Sequence, residues 1–193
     1  MALLALITTM LLGSIGLGLV TVTSTEAAMA SNHRESSEML HAAEAAAELA
    51  SAEVIRAASW NDVLSGVTSS AFTDGTTTPR LASGEVLNLA SLTTAWQAAS
   101  DAEARHGLNN PRWRLFLYQP LASITHASAS SQYVIAWVAD DLAETDNDPL
   151  TDGNGIVLVR AQAAGRLGMA RTIDVSIAKK DLGIGIASWR VVQ

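Results

Sequence analysis

The sequence predicts an α+β fold in which one long N-terminal α-helix packs on an antiparallel sheet of about four strands. Three features carry that expectation. Residues 1–25 contain no charged side chain. Residues 26–60 are charged, alanine-rich and free of proline, with small and apolar residues at alternating steps of four and three. From residue 113 onward the helical period gives way to short alternating runs set between Gly, Pro and Asp. Residues 1–25 and 26–60 are thus two halves of one helix, and residues 61–193 form a globular α+β domain.

The first half is long and apolar enough to matter by itself. A hydrocarbon core about 30 Å thick needs about 20 apolar residues as helix. Residues 1–22 supply Leu, Ile, Val, Ala and Met with scattered Thr, Ser and Gly, and the hydroxyls can bond back to the helix carbonyls. The segment therefore reads as a membrane-inserted helix. A buried core helix is the bland alternative, but 25 residues without a charge is long for one. A cleaved signal peptide is the other rival, because Ala28-Met29-Ala30 before Ser31 has the small-x-small form of a cleavage site. Against it stand the lack of Lys or Arg in the first residues, Glu26 just ahead of the cut, and a helical pattern that runs through it. The first basic residue is Arg34, so orientation is weakly encoded if Met1 is a true start; otherwise a basic leader preceded Met1. Gly13, Gly16 and Gly18 make a locally soft stretch that allows close helix approach.

In the second half the seam runs Met29, His33, Ser36, Leu40, Ala43, Ala47, Ala50, Val54, Ala57. Glu26, Arg34, Glu35, Glu38, Glu44, Glu48, Glu53 and Arg56 fall off it. This heptad-like stripe packs closely but buries little area per residue, so it needs a domain or neighbouring copies against it. His33 reads as a partly exposed residue above the membrane, not a ligand or base. The helix is expected to run unbroken to Trp60.

The rest follows in order. Residues 59–83 form a Ser/Thr/Gly-rich connection with a short helical turn at 61–67. Residues 87–105 form a helix that ends at Gly107 and docks through Trp96. Strands are expected at 113–118, 132–139, 156–163 and 171–178, with a tail at 184–192 that can add an edge strand. In the second, Tyr133, Ile135 and Trp137 share one face, and Val134, Ala136 and Val138 the other. In the fourth, Ile173, Val175 and Ile177 point inward while Thr172, Asp174 and Ser176 point outward. Gly165 and Gly168 bracket a hairpin turn. Such a sheet has one polar face, and the alanine seam of the helix is the natural cover for the other.

Composition excludes several functions. Against 12 Lys+Arg stand 19 Asp+Glu, a net charge of −7, with no basic run to neutralise phosphates, so nucleic acid is not a predicted partner. With no Cys there is no disulfide framework, thiolate metal site or cysteine nucleophile.

The chain resembles the type IV pilin-like proteins, in particular minor pilins with a PilX-type N-terminal region. The residues that carry the resemblance are MALLALITTMLLGSIGLGL at the start, Glu26, Ala30, Asn32 and Arg34 in STEAAMASNHR, and Ala42, Ala43, Glu44 and Ala45 in HAAEAA. NNPRWRLFLYQPL, YVIAWVADD, DPLTDGNG and VRAQAAG are a softer match. The resemblance implies a pilin-like lollipop, with the apolar half in the bacterial inner membrane, the head in the periplasm, and later a place in a pilus at the cell surface. It implies a short basic leader removed by a prepilin peptidase, which makes Met1 the processed N-terminus. Its partners would be other pilin or pseudopilin subunits, inner-membrane lipid and a pilus assembly platform. Met1, Gly13, Gly16, Gly18 and Glu26 are the expected assembly and membrane residues, and the Gly13–Gly18 stretch matches the region where pilin helices lose helical order in filaments. Major pilins carry a glutamate close behind the processed N-terminus. Here no acidic residue precedes Glu26, which favours a minor, tip or priming role.

The densest oxygen cluster is Asp140-Asp141, Glu144, Asp146, Asp148, Asp152 and Asn154, spaced by Gly153 and Gly155. Ca²⁺ takes 6–8 oxygen ligands, and related pilins and pseudopilins can hold it in a sheet loop. Asp146, Asp148, Asp152 and Asn154 are the candidate ligands, although the spacing is not that of an EF-hand. The alternative is a solvated acidic loop, and no cofactor is required. No catalytic set emerges: His33, His41, His106 and His126 are scattered, and no GxSxG motif is present. Trp60, Trp96, Trp113, Trp137 and Trp189 read as packing anchors.

The expected function is therefore that of a non-enzymatic structural subunit, a minor pilin or pseudopilin that assembles into or primes a type IV pilus or a type II secretion-like pseudopilus. The rivals are a secreted binding or adhesion domain released by cleavage after Ala30, and a membrane-anchored enzyme.

Overall fold

The computed structural model describes residues 1–103, 107–125, 130–180 and 183–192. The chain forms two compact units, residues 1–38 and residues 39–193. Helix α1, Ala2–Arg56, contributes to both.

In the first unit residues 1–34 are all exposed. The hydroxyls of Thr8, Thr9, Ser14, Thr21, Thr23, Ser24 and Thr25 donate to carbonyls three or four residues earlier, which hides their polarity within the helix. α1 holds an apolar window long enough to cross a membrane by length and composition, and none of that window is buried.

In the second unit α1 buries Met39, Ala42, Ala43, Ala46, Ala47, Ala50, Ser51 and Val54. This stripe is wider than the expected seam and shifted from it: Met39 and Ala46 are buried, Leu40 is only half-buried, and Met29 and His33 are exposed. The reason is the partner. A helix against a broad sheet buries a band that follows the 3.6-residue period, whereas a narrow seam suits another helix. The helix stops at Arg56, before the expected Trp60. Ser59 starts a new helix, α2 (Trp60–Ser65), by accepting from the Asp62 N–H at 3.2 Å, while the Trp60 indole donates to the Val54 carbonyl at 2.8 Å. Gly66 ends α2 in the left-handed region, φ 79.

Strands β1 (Arg114–Pro120), β2 (Tyr133–Asp140), β3 (Ile156–Ala164), β4 (Ala170–Lys180) and β5 (Gly183–Val192) form one antiparallel sheet in chain order. The tail is thus a full fifth strand. A short helix, α4 (Leu121–Thr125), follows β1, and α3 spans Leu89–Glu103. Asn88 caps α3 by accepting from the Ser91 N–H at 2.9 Å, so the helix begins two residues later than expected. Residues 104–106, within its expected C-terminal end, lie outside the described residues.

The alanine stripe covers one face of the sheet, against Val134, Ala136, Val138, Val157, Val159, Ala161, Ile173, Val175 and Ile177. The other face is not simply polar, as the alternation in β4 had suggested. Tyr133, Ile135, Trp137 and Ala139 build a second core there with Leu81, Leu89 and Trp113, and Leu92 and Trp96 of α3 pack onto it. β2 is apolar on both faces because it is covered on both. Over β4 and β5 the same face carries Asp174, Ser176, Ser188 and Arg190. Arg160 joins the two halves. It pairs across strands with Trp137 and Asp174 and lies 4.5 Å from the ring centroids of both Trp96 and Trp113.

Candidate functional site

β2 ends at Asp140 and turns into a connection that reaches β3 at Ile156. By strand alternation Asp140 continues the face of Val134, Ala136 and Val138. Its carboxyl therefore sits at the edge of the core, only 2 % exposed. Asp141 and Glu144 follow and are also buried. One oxygen from each of the three carboxylates lies within 4.8 Å of the others.

Local backbone satisfies part of this cluster. Asp141 accepts from the Ala143 N–H at 2.8 Å and from the Asn154 side-chain amide at 2.6 Å. Glu144 Oε1 accepts from the N–H groups of Gly153 and Asn154 at 2.7 and 2.6 Å. The side-chain amide of Asn109, the last residue of a 3₁₀ turn before β1, donates to the Glu144 carbonyl. Within this cluster the buried oxygens Asp140 Oδ1, Glu144 Oε2 and Asn109 Oδ1 have no partner. Burial raises the Asp140 carboxyl to a pKa of about 7, helped by the nearby charges of Glu144, Asp141 and Asp152.

The four residues favoured for Ca²⁺ on sequence are not gathered into one set. Asp146 and Asp148 are exposed, and each closes a local turn: Asp146 accepts from the Asp148 N–H at 3.1 Å, and Asp148 from the Leu150 N–H at 3.1 Å and the Thr151 hydroxyl at 2.8 Å. Asp152 is committed elsewhere. Its Oδ1 accepts from Gly155 N–H at 2.7 Å and its Oδ2 pairs with Lys179 at 2.9 Å, while Lys179 also lies 4.0 Å from the Trp60 ring centroid. Asn154 joins the buried trio through its amide to Asp141, and its own oxygen accepts from the Ile156 N–H at 2.8 Å. The Asp152 N–H donates to Asn61 Oδ1 at 2.9 Å, which ties this connection to α2. Sequence reasoning did not find Asn109; the only signal was a polar residue ahead of Pro111.

Met1, Gly13, Gly16, Gly18 and Glu26 all lie exposed in the first unit, and a methyl group built at any of the three glycines would meet nothing within 4 Å. His33 and His41 are exposed, and His41 lies 2.9 Å from Glu44. His106 and His126 lie outside the described residues. Trp60, Trp113 and Trp137 are buried and Trp96 packs edge-on to Trp137 at 6.3 Å, but Trp189 on β5 is 38 % exposed and anchors no core. At the start of β2 the Tyr133 hydroxyl donates to Asp74 at 2.8 Å, and burial together with that carboxylate pushes the phenol above its ordinary pKa.

No family model, curated protein or solved structure matches the chain.

Proposed function

We propose that this chain is a structural, non-catalytic minor pilin or pseudopilin that takes part in assembling or priming a type IV pilus or a type II secretion-like pseudopilus. The observation that carries the reading is α1. Residues 1–34 are exposed and residues 1–25 carry no charged side chain, while residues 39–56 bury an alanine-rich band against an antiparallel sheet. Exposed apolar surface on that scale needs lipid or the same segment of other subunits around it. The proposed setting is the bacterial inner membrane with a single pass and the head in the periplasm, then the filament at the cell surface. The partners are other pilin or pseudopilin subunits and inner-membrane lipid, with a prepilin peptidase and an assembly platform acting on the chain. The mechanism is packing of residues 1–25 with their counterparts in neighbouring subunits.

Replacing Gly13, Gly16 and Gly18 together by Leu tests this. The glycines are surrounded by open space, so the head has no reason to unfold. Filament yield, counted by electron microscopy in complemented cells, should fall while the circular dichroism of the purified head stays native. Unchanged filament yield would sink the packing mechanism. Intact mass of the exported chain separates the secreted rival, since cleavage after Ala30 leaves Ser31 first.

A further inference from the structure

We propose that the apolar face of β5, beside α1, is a docking ledge for an amphipathic helix of a partner protein that carries basic residues. This goes beyond the filament reading and does not depend on it. β5 pairs with β4 through Lys179↔Ile184, Ile177↔Ile186, Val175↔Trp189 and Ile173↔Val191, with a bulge between the second and third of these pairs. Residues directly opposite in an antiparallel pair share a face, and Ile173, Val175 and Ile177 face α1. The extra residue of the bulge, Ala187, therefore keeps Ile184, Ile186, Trp189 and Val191 all on the α1 side; without it Trp189 and Val191 would turn away. These four are 38–45 % exposed, whereas Ile173, Val175 and Ile177 beside them are buried. On the other face Ser188 and Arg190 are held by Ser176 and Asp174.

Spacing decides what fits the ledge. The buried band of α1 touches β2, β3 and β4 and runs along β3. Met39 lies over Gly165, at one end of that strand, and Trp60, just past the end of α1, meets Lys179, whose N–H donates to Gly155 at the other. β5 is two strands from β3, about 9.4–9.8 Å, and packed helices have axes about 8–10 Å apart. A second helix laid against α1 thus sits directly over β5, whereas a strand added to the edge of β5 leaves its apolar face open. The wall of the ledge selects the charge. Glu53 accepts from the Ser70 hydroxyl and the Ala71 N–H, next to the Phe72 carbonyl that accepts from Tyr118 of β1, so its flank of α1 faces β1. By the helical period the flank towards β5 holds Leu40, Glu44 and Ile55, with Glu48 above them. Glu44 meets only His41 among the ion pairs of the described residues, and no Lys or Arg pairs with Glu44 or Glu48. The wall is apolar at its base and acidic at its rim, which complements a helix with an apolar face and a basic edge. Residues 39–56 give it a length of about 27 Å, matching a helix of about 18 residues.

The test titrates the full-length chain, in nanodiscs of zwitterionic lipid, into a fluorescent helical peptide of about 18 residues with Leu on one face and Lys along the edges. Empty nanodiscs supply the reference, and anisotropy reports binding. The expected result is one peptide per chain with a Kd below about 100 μM. A peptide with Glu in place of Lys should bind at least about tenfold more weakly. Ile186→Ser and Trp189→Ser should each weaken the Lys peptide at least about tenfold, and Glu44→Gln with Glu48→Gln at least about threefold. Leu108→Ser, at an exposed leucine ahead of β1, should change nothing. Native circular dichroism confirms that each variant folds, and either β5 variant alone suffices. No binding up to about 1 mM peptide, equal binding of the Glu peptide, or binding that survives the β5 variants would overturn the proposal. Tighter binding of an extended peptide of alternating Val and Thr would overturn it in favour of strand addition. A dimer of the chain in detergent that Trp189→Ser abolishes, seen by sedimentation, would overturn it in favour of a second copy.

Discussion

Arg160 is the side chain whose removal should tell most about how the second core is held. Its guanidinium makes two parallel bonds to Asp174, Nε to Oδ1 at 2.7 Å and Nη2 to Oδ2 at 2.8 Å. Both partners are mostly buried, with side chains 14 % and 19 % exposed. Its cationic carbon also lies 4.5 Å from the centroids of Trp96 and of Trp113. A partly desolvated cation–π contact contributes about 0.5–2 kcal/mol, and a charge-assisted hydrogen bond about 1.5–3 kcal/mol net. Arg190 also reaches Asp174, at 3.0 Å, so the carboxylate keeps one partner, but Arg190 is 74 % exposed and contributes little. Allowing for non-additivity, Arg160→Ala should destabilise the chain by about 3 kcal/mol, and Arg160→Lys by about 1–2, since lysine keeps the charge but loses the planar fork. Urea unfolding of the full chain, followed by tryptophan fluorescence and circular dichroism, measures both. A double-mutant cycle with Asp174→Asn separates the ion pair from the stacking. Hydrogen exchange should show the loss concentrated in α3, which is otherwise fastened by Trp137 to Thr93, Trp113 to Ser100 and Gln97 to the Trp113 N–H. A loss below about 1 kcal/mol for Arg160→Ala, or a lysine variant as stable as wild type, would refute this account.

The raised pKa of Asp140 gives a pH signature in metal-free buffer. Its ordinary value is about 3.9 when unfolded, and the folded value is about 7, so the folded state binds the extra proton between them. Stability should therefore fall as pH rises from about 4 to about 7 and then level off, by at most about 4 kcal/mol. Asp140→Asn should flatten that slope and be the more stable form at pH 8; a wild type whose urea midpoint rises across this range would contradict the assignment. On the helix, Ala46→Leu forces a large side chain between α1 and the sheet and should cost about 1–3 kcal/mol, whereas Ala28→Leu, on an exposed stretch, should leave the urea midpoint of the head unchanged.

What could be read in advance tracks how locally each feature is determined. The alternation of Ile173, Val175 and Ile177 with Thr172, Asp174 and Ser176 follows from one buried face, and β4 shows it. β2 was legible as a strand, but its apolar residues on both sides also meant cover on both sides, and that inference needed α3 to be placed. The end of α1 had a local signal that composition hid: Ser59-Trp60-Asn61-Asp62 is an N-cap followed by an acid in the first turn. The acidic stretch shows the limit. Seven oxygen-bearing residues looked like one loop, yet the fold sorts them into an inward trio with Asn154 bonded to it, an ion pair to Lys179 and two surface turns. Only tertiary contacts, such as that of Asn109 with Glu144, decide which acid goes inward.

The alanine band of α1 explains a glycine that turn chemistry does not. Of the two glycines that bracket the β3–β4 hairpin, Gly168 has the positive φ, 72, that an ordinary residue resists, while Gly165 has φ −126, open to any residue. A Cβ at Gly165 would lie 2.9 Å from the sulfur of Met39. Met39 is the first buried residue of α1 and the largest in its buried band. Alanines let the helix axis come close to the sheet, and a close axis leaves no depth for a thioether unless the strand beneath it gives up a side chain. Gly165 supplies that depth, so the hairpin is shaped by the helix above it as much as by its own turn. The same closeness makes the head's attachment to α1 a sum of many small contacts. Substitutions that add volume along the band should therefore weaken it more than those that remove a single methyl group.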